Sequence, residues 1–314
     1  MAQNARLSAG QGPNSGYATR MTGQVCEVCS EGHLVVIGSR QEWALAAARD
    51  PVRGRLVRLV REDSAYDFET VLRCPECGFA RVSRMPTDGA LLRYYERDPT
   101  HNPTRDKHER RMARAAARLR RLRGKAAKSG RFLDVRCGAG PAVEAARLAG
   151  YEAWGIDGDP YVVARARHAH PQCRFETAYV EDFAHTGEVF DIVYCADALG
   201  HAPNPVSFIQ AVGELLRPGG TVFIALADAG HKSTPDNLLD WREVRPPEQL
   251  AWYTRDALRA LLARHGFDRI RFAITFNAGL RVTARRALKS SRSARKPARS
   301  DNRQHKSALK VASL

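Results

Sequence analysis

Residues Arg131 to Gly140, RFLDVRCGAG, constrain this chain more than any other stretch. Phe132, Leu133 and Val135 give the apolar, β-prone run of a short buried strand, entered through Lys128-Ser129-Gly130. Cys137-Gly138-Ala139-Gly140 follows as a glycine turn, and Val143, Ala146 and Leu148 open a helical pattern. Strand, glycine turn and helix make the first half of a nucleotide-binding βα unit. Glycines let backbone N–H groups approach a ligand closely, and a helix N-terminus favours anionic groups. One residue breaks the pattern: Arg136 stands where a first glycine is expected.

The alternation continues downstream. EAWGI (152–156) reads as a second strand ending in Asp157, and Tyr161 to His168 as a helix. Short strands are expected at Cys173 to Glu176, Phe190 to Tyr194 and Thr221 to Leu226, the last preceded by a turn at Arg217-Pro218-Gly219-Gly220. Helices are expected from Pro205 to Leu216 and from Thr254 to His265, the second capped by Thr254 and stopped by Gly266. Arg269 to Thr275 and Arg281 to Arg285 read as a closing hairpin around Asn277-Ala278-Gly279. The sum is an α/β, Rossmann-like, doubly wound and mostly parallel seven-stranded sheet, with ligand at the carboxyl ends of its strands. Asp157 lies 23 positions after Asp134. That suits the spacing of about 20 at which a carboxylate receives ribose hydroxyls in such units.

Ahead of this domain, Cys26-Glu27-Val28-Cys29 and Cys74-Pro75-Glu76-Cys77 are separated by 44 residues. Each C-x-x-C turn presents two sulfurs on one side, and a zinc ion joins two such turns into a closed tetrahedral site. A four-thiolate shell leaves no position for water or substrate, so Cys26, Cys29, Cys74 and Cys77 are expected to hold a structural Zn²⁺. The gap calls for an insertion, for which QEWALAAARD reads as helix and RLVRLV as an alternating strand. His33 is read as a surface residue.

The net charge of +16 is localised. Residues 105–128 carry eleven Lys/Arg against Asp106 and Glu109, and residues 289–314 carry eight against Asp301. These two segments account for all of the excess. The first reads as a basic amphipathic helix with Met112, Ala115, Leu119, Leu122 and Ala126 on its docking face. Its arginines suit either a solvated face or attraction of an anionic ligand, a membrane surface or RNA. Seven cysteines without a secretory signal favour a reducing cytoplasm, and no apolar run is long enough for a transmembrane helix. The expected organisation is a disordered leader (1–20), a zinc ribbon (21–90), a linker with the basic helix (91–129), the α/β domain (130–288) and a disordered basic tail (289–314).

Over residues 130–288 the chain resembles the class I S-adenosylmethionine-dependent methyltransferases. LDVRCGAG is similar to the family's LDVGCGxG loop, GIDGDP to its second strand end, and FDIVYCADALGHAPNP to the segment after its fourth strand. The N-terminal cysteines and Tyr-Tyr helix resemble a bacterial subgroup that modifies polysaccharides, sugars or lipids. The resemblance implies S-adenosylmethionine as cofactor. Asp134, Arg136, Cys137, Gly138 and Gly140 would face its methionyl part, with Asp134 serving the amine. Asp157 would take the ribose hydroxyls, Asp182 and Phe183 the adenine, and Cys195 would line the sulfonium pocket. His201 would be the base that accepts the acceptor's proton, with Tyr194, His231, Trp252 and Tyr253 as weaker pocket candidates.

Arg136 leaves two readings open: its guanidinium pairs with the methionyl carboxylate, or it crowds the pocket. Relatives that use a catalytic metal carry acidic or histidine ligands where this chain has Gly200 and Gln249, which argues against metal-assisted catalysis. The expected activity is methyl transfer to a small polar, sugar, glycan- or lipid-linked acceptor, most simply O-methylation. A degenerate fold kept as a binding or scaffold protein and an RNA methyltransferase are the alternatives.

Overall fold

The computed structural model describes residues 21–97, 105–123, 130–275 and 278–288. The expected leader and tail, the end of the basic helix after Arg123, and Asn277 of the expected hairpin turn lie outside the described residues.

The N-terminal module is built on the antiparallel strands β1 (Met21–Val25), β2 (His33–Ser39), β3 (Thr70–Arg73) and β4 (Ala80–Val82). Between β2 and β3 sit helices α1 (Arg40–Ala47) and α2 (Pro51–Glu62). The expected strand at RLVRLV is therefore a helix. Asp50 caps it by accepting from Val52 and Arg53 N–H, Pro51 starts it, and Arg53, Leu56, Val57 and Val60 bury one helical face. Leucines and valines spaced by three and four satisfy a helix as well as a strand, and the Asp-Pro start decides between them. Two further helices follow, α3 (Asp88–Arg97) and the basic α4 (Arg105–Arg123).

The α/β domain contains β5 (Arg131–Val135), α5 (Pro141–Leu148), β6 (Glu152–Asp157), α6 (Pro160–Ala169), β7 (Arg174–Thr177), α7 (Val180–Ala184) and β8 (Phe190–Ala196). Then come α8 (Pro205–Glu214), β9 (Leu216–Ala227), β10 (Ala251–Trp252), α9 (Arg255–Arg264), β11 (Phe267–Phe272) and β12 (Gly279–Arg286). The seven-stranded sheet has the order β11-β12-β9-β8-β5-β6-β7, with the last five strands mutually parallel and β12 antiparallel to both neighbours. Strand order reverses at β5, which has β8 on one side and β6 on the other. Ligands of doubly wound sheets bind at such a switch point.

The RPGG segment is not a turn ahead of the fifth parallel strand. It is a bulge within β9, because Phe190 faces Leu216 while Ile192 faces Thr221. Gly219 takes the left-handed conformation this needs (φ +78°).

The two modules are joined through shared strands and core. β10 pairs with β4 and so adds a fifth strand to the cysteine-bearing sheet. Trp43 Nε1 donates to the Val244 carbonyl at 2.8 Å, and the buried Arg53 guanidinium donates to the Leu239 carbonyl at 2.5 Å. Thr254, the cap of α9, also donates its hydroxyl proton to the Cys77 carbonyl. Arg264 reaches the carbonyls of Glu27 and Val28 at 2.8 and 2.7 Å. The cysteine knuckle is thus packed against α9 and shares a buried core with the seven-stranded sheet.

Candidate active site

Two cavities open at the carboxyl ends of β5, β6 and β8. The first, about 280 Å³, is lined by Ile156, Asp157, Val180, Asp182 and Phe208, with Leu91, Leu92 and Tyr95 from α3 as its lid. The second, about 430 Å³, is lined by Asp134, Arg136 to Ala139, Tyr194, Asp197 and Arg245, and by Arg111, Arg114 and Arg118 of α4. Arg136, Asp157 and His201 border both cavities and stand at their junction.

Asp157 is held at the end of β6 by two backbone donors. Gly138 N–H reaches its Oδ2 at 2.9 Å and Asp159 N–H its Oδ1 at 3.1 Å. A carboxylate has about four lone-pair positions, so each oxygen keeps one for a hydroxyl presented from the cavity. Gly138 has φ +53°, and a Cβ there would meet no atom of the described residues within 4 Å, so the glycine loop leaves a cradle. Gly140 is excluded from a side chain for a different reason: its Cβ would lie 2.7 Å from the Phe175 ring.

Asp134 is buried, and burial pushes its carboxyl well above the usual range, with the nearby Asp157 charge adding to the shift. No hydrogen bond from the described residues reaches it, and Arg111 and Arg118 offset the shift only in part. A cationic ligand group would complete this site. Arg136 has φ +59°, a conformation a glycine would adopt without the usual penalty. Its guanidinium donates to the Asp197 carbonyl at 3.3 Å and lies 5.1 Å from the Tyr95 ring centroid. The side chain therefore forms the partition between the cavities, where it faces Asp157.

His201 sits on the loop after β8, its Nδ1 3.1 Å from the Tyr95 hydroxyl. That hydroxyl also lies 3.5 Å from the Glu248 carbonyl, to which it can donate. Burial pushes the Tyr95 phenol up, so it stays protonated. Gly200 and Gln249 prove complementary: a Cβ at 200 would lie 2.6 Å from Gln249 Nε2, and the Gly200 carbonyl accepts from Leu250 N–H at 2.9 Å. The two residues that depart from the metal-binding pattern thus fill one another's space.

Some expected site residues are brought together and others are not. Asp134, Arg136, Cys137, Gly138, Asp157, Asp182 and His201 line the cavities. Cys195 does not. It is fully buried in the core, where burial pushes its thiol up, and it lines neither cavity. Phe183 packs behind the site against Trp154 and Phe190, at ring distances of 6.2 and 6.3 Å. Of the weaker candidates, Tyr194 lines the larger cavity, whereas His231, Trp252 and Tyr253 line neither. The sequence reading missed Tyr95 and the α4 arginines. Arg111, Arg114 and Arg118 recur at steps of three and four, a spacing that puts them on one helical face. Arg118 donates to the Tyr194 hydroxyl at 2.5 Å. Burial, partly offset by this arginine, pushes the Tyr194 phenol up to about 12.

The four ribbon cysteines converge as expected. Cys26 and Cys77 sulfurs are 3.8 Å apart, Cys29 and Cys74 sulfurs 3.7 Å, and all four lie within 4.8 Å of one another. Zn–S bonds of about 2.3 Å in a tetrahedron put sulfurs about 3.8 Å apart. The set fits a structural zinc ion.

Comparison with known sequences identifies the family. A family described as "Methyltransferase domain" matches residues 107–271, a little over half of the chain. The chain belongs to this family and is a class I S-adenosylmethionine-dependent methyltransferase. It is similar to the ubiquinone biosynthesis O-methyltransferase of Alkalilimnicola ehrlichii, at 29% identity over 57% of this chain and 78% of the relative. It is also similar to the enzyme of that name from Aromatoleum aromaticum, at 33% identity over 40% of this chain and 62% of the relative. Among solved structures, the PH0226 protein of Pyrococcus horikoshii aligns with a TM-score of 0.48 at 19% identity, over 62% of this chain and 98% of that one. Magnesium protoporphyrin IX methyltransferase of Synechocystis aligns with a TM-score of 0.42 at 18% identity, over 64% and 92%. Among the described residues, no helix is long and apolar enough to cross a membrane.

Proposed function

We propose that this chain transfers a methyl group from S-adenosylmethionine to a hydroxyl of a small polar acceptor seated in the larger cavity. A free metabolite, a sugar, and a glycan- or lipid-linked group all fall within that class. The observation that carries the reading is the junction itself, where the two cavities meet at Asp157, Arg136 and His201.

The residues present fit the cofactor. The smaller cavity combines apolar walls (Ile156, Val180, Phe208) with the carboxylates of Asp157 and Asp182, a lining suited to an adenosine. The Gly138 cradle and the buried, unmatched Asp134 carboxyl suit a methionyl chain with its ammonium. When bound, S-adenosylmethionine supplies an electrophilic methyl group on a cationic sulfur. The chain's own work is then to position the acceptor and take its proton. His201 is assigned the second task. With the Tyr95 hydroxyl proton directed at the Glu248 carbonyl, His201 Nδ1–H donates to the Tyr95 oxygen, and Nε2 carries the lone pair that takes a proton. Cys137 and Cys195 do not compete for this role, since burial pushes both thiols well above their ordinary range.

Similarity to the ubiquinone biosynthesis O-methyltransferases supports oxygen as the methylated atom. Incubating the zinc-loaded protein with methyl-labelled S-adenosylmethionine and a metabolite extract tests the proposal. Label in a base-stable, ether-type product is the expected result. Label found only in nitrogen- or carbon-methylated products would refute O-methylation.

A further inference from the structure

A second cationic feature lies outside the cavities described so far. A groove of about 480 Å³ runs between α4 and the β9–β12–β11 end of the sheet. Six arginines line it: Arg118 and Arg121 from α4, Arg269 and Arg271 from β11, and Arg281 and Arg285 from β12. Among the described residues no carboxylate lines it, and none of the six forms an ion pair with a described carboxylate.

The register explains why these side chains converge. Leu280, Val282 and Ala284 are buried on one face of β12, so Arg281, Thr283 and Arg285 point to the other. Arg271 pairs with Thr283, which pairs in turn with Phe223. Arg285 pairs with Thr221. Guanidinium forks therefore surround a floor of the apolar Phe223 ring and two threonine hydroxyls; the forks and hydroxyls can donate hydrogen bonds, and no described carboxylate stands between them. Like charges lining one groove repel one another, and an anion seated among them offsets that repulsion.

Arg118 connects this groove to the active site. It lines both, with its guanidinium 5.2 Å from the Phe223 ring centroid and its Nη1 on the Tyr194 hydroxyl. We propose that the groove binds a phosphate ester or pyrophosphate group carried by the methyl acceptor, while the acceptor's hydroxyl occupies the adjoining cavity. This rests on the transfer reading given above and adds the substrate class to it. Planar, bidentate arginine recognition suits phosphate oxygens, and several forks in one groove suit a multiply charged group.

Two measurements on the full-length, zinc-loaded protein test it. In the first, inorganic pyrophosphate is titrated into wild-type protein and into the Arg271→Ala/Arg281→Ala variant, with S-adenosylmethionine affinity as the control. Saturable binding that weakens at least tenfold in the variant, with cofactor affinity unchanged, is expected. Absence of saturable binding, or equal binding by the variant, overturns the groove assignment. Failure to bind S-adenosylmethionine overturns the underlying transfer reading instead. In the second, a metabolite extract is divided, one half is treated with phosphatase, and both halves are offered with methyl-labelled cofactor. Labelling confined to the untreated half is expected. Partition of that label between butanol and water distinguishes a lipid-linked phosphate from a soluble one. Equal labelling of the two halves, or none in either by a protein that binds both probes, overturns the link between groove and acceptor.

Discussion

Replacing Asp157 by alanine should all but remove cofactor binding. The carboxylate already accepts Gly138 N–H at 2.9 Å and Asp159 N–H at 3.1 Å, so its orientation is set before any ligand arrives. Each hydroxyl it then accepts forms a charge-assisted hydrogen bond, worth about 1.5–3 kcal/mol. Two such bonds give about 3–6 kcal/mol, which corresponds to roughly 10²- to 10⁴-fold in affinity. The alanine variant also releases Gly138 N–H, loosening the glycine loop that forms part of the same cradle. Asp157→Asn retains one carbonyl oxygen and should fall between, at roughly one to two orders of magnitude. Titration calorimetry with S-adenosylmethionine on zinc-loaded protein measures all three affinities. An Asp157→Ala dissociation constant within threefold of wild type would refute the assignment.

Other outcomes follow from the same geometry. Asp134 has a raised carboxyl pKa in the free protein, and a ligand ammonium requires it ionised, so cofactor binding should release a proton and strengthen as pH rises towards that pKa. Calorimetry in two buffers of different ionisation enthalpy reads the proton release, which Asp134→Asn should abolish. His201→Ala should lower the single-turnover transfer rate at least about 100-fold with little change in cofactor affinity. Tyr95→Phe should give a smaller loss and a shifted pH–rate profile, whereas an unchanged profile would remove Tyr95 from the orientation of His201. Chelating the metal or substituting Cys77→Ser should lower the melting temperature by about 10 °C or more, because a structural zinc site supplies about 10 kcal/mol and this one shares a core with the sheet. Gly200→Ala should destabilise by about 1–3 kcal/mol through overpacking against Gln249, and Gly200→Ala/Gln249→Ala should recover most of that in a denaturant melt.

Much of the fold was legible because its signals are local. A strand followed by glycines, an acid at the next strand end and a Thr-capped helix each occupy a few consecutive residues. The Cys-x-x-C pairs also declared themselves, since two short knuckles carry the whole metal site. Misreadings came where one short pattern suits two structures. RLVRLV fits strand alternation and helical spacing alike, and the Asp50-Pro51 start settles it. RPGG is rich in turn residues, yet pairing with β8 both before and after it absorbs it as a bulge.

The remainder depended on distance along the chain. Nothing near Ala251 announces that it will extend a sheet whose other strands lie before Val82. Gly200 and Gln249 each look like a defect in isolation, and only their contact shows that one accommodates the other. The same holds for α4. Its apolar face was clear from Ala115 and Leu119, but the arginines on its other face acquire a role only once β5 and β8 place Asp134 and Tyr194 opposite them. Arg136 is the sharpest case, because its effect is set by Tyr95 on α3 and Asp197 after β8 rather than by its neighbours in the loop.

Binding of S-adenosylmethionine by the wild-type, zinc-loaded chain is the most direct measurement. One saturable site with a dissociation constant in the range of about 1 μM to 1 mM, competed by S-adenosylhomocysteine, is the expected result. No binding at several millimolar cofactor would contradict the assignment of these cavities to cofactor and acceptor and, with it, methyl transfer by this chain.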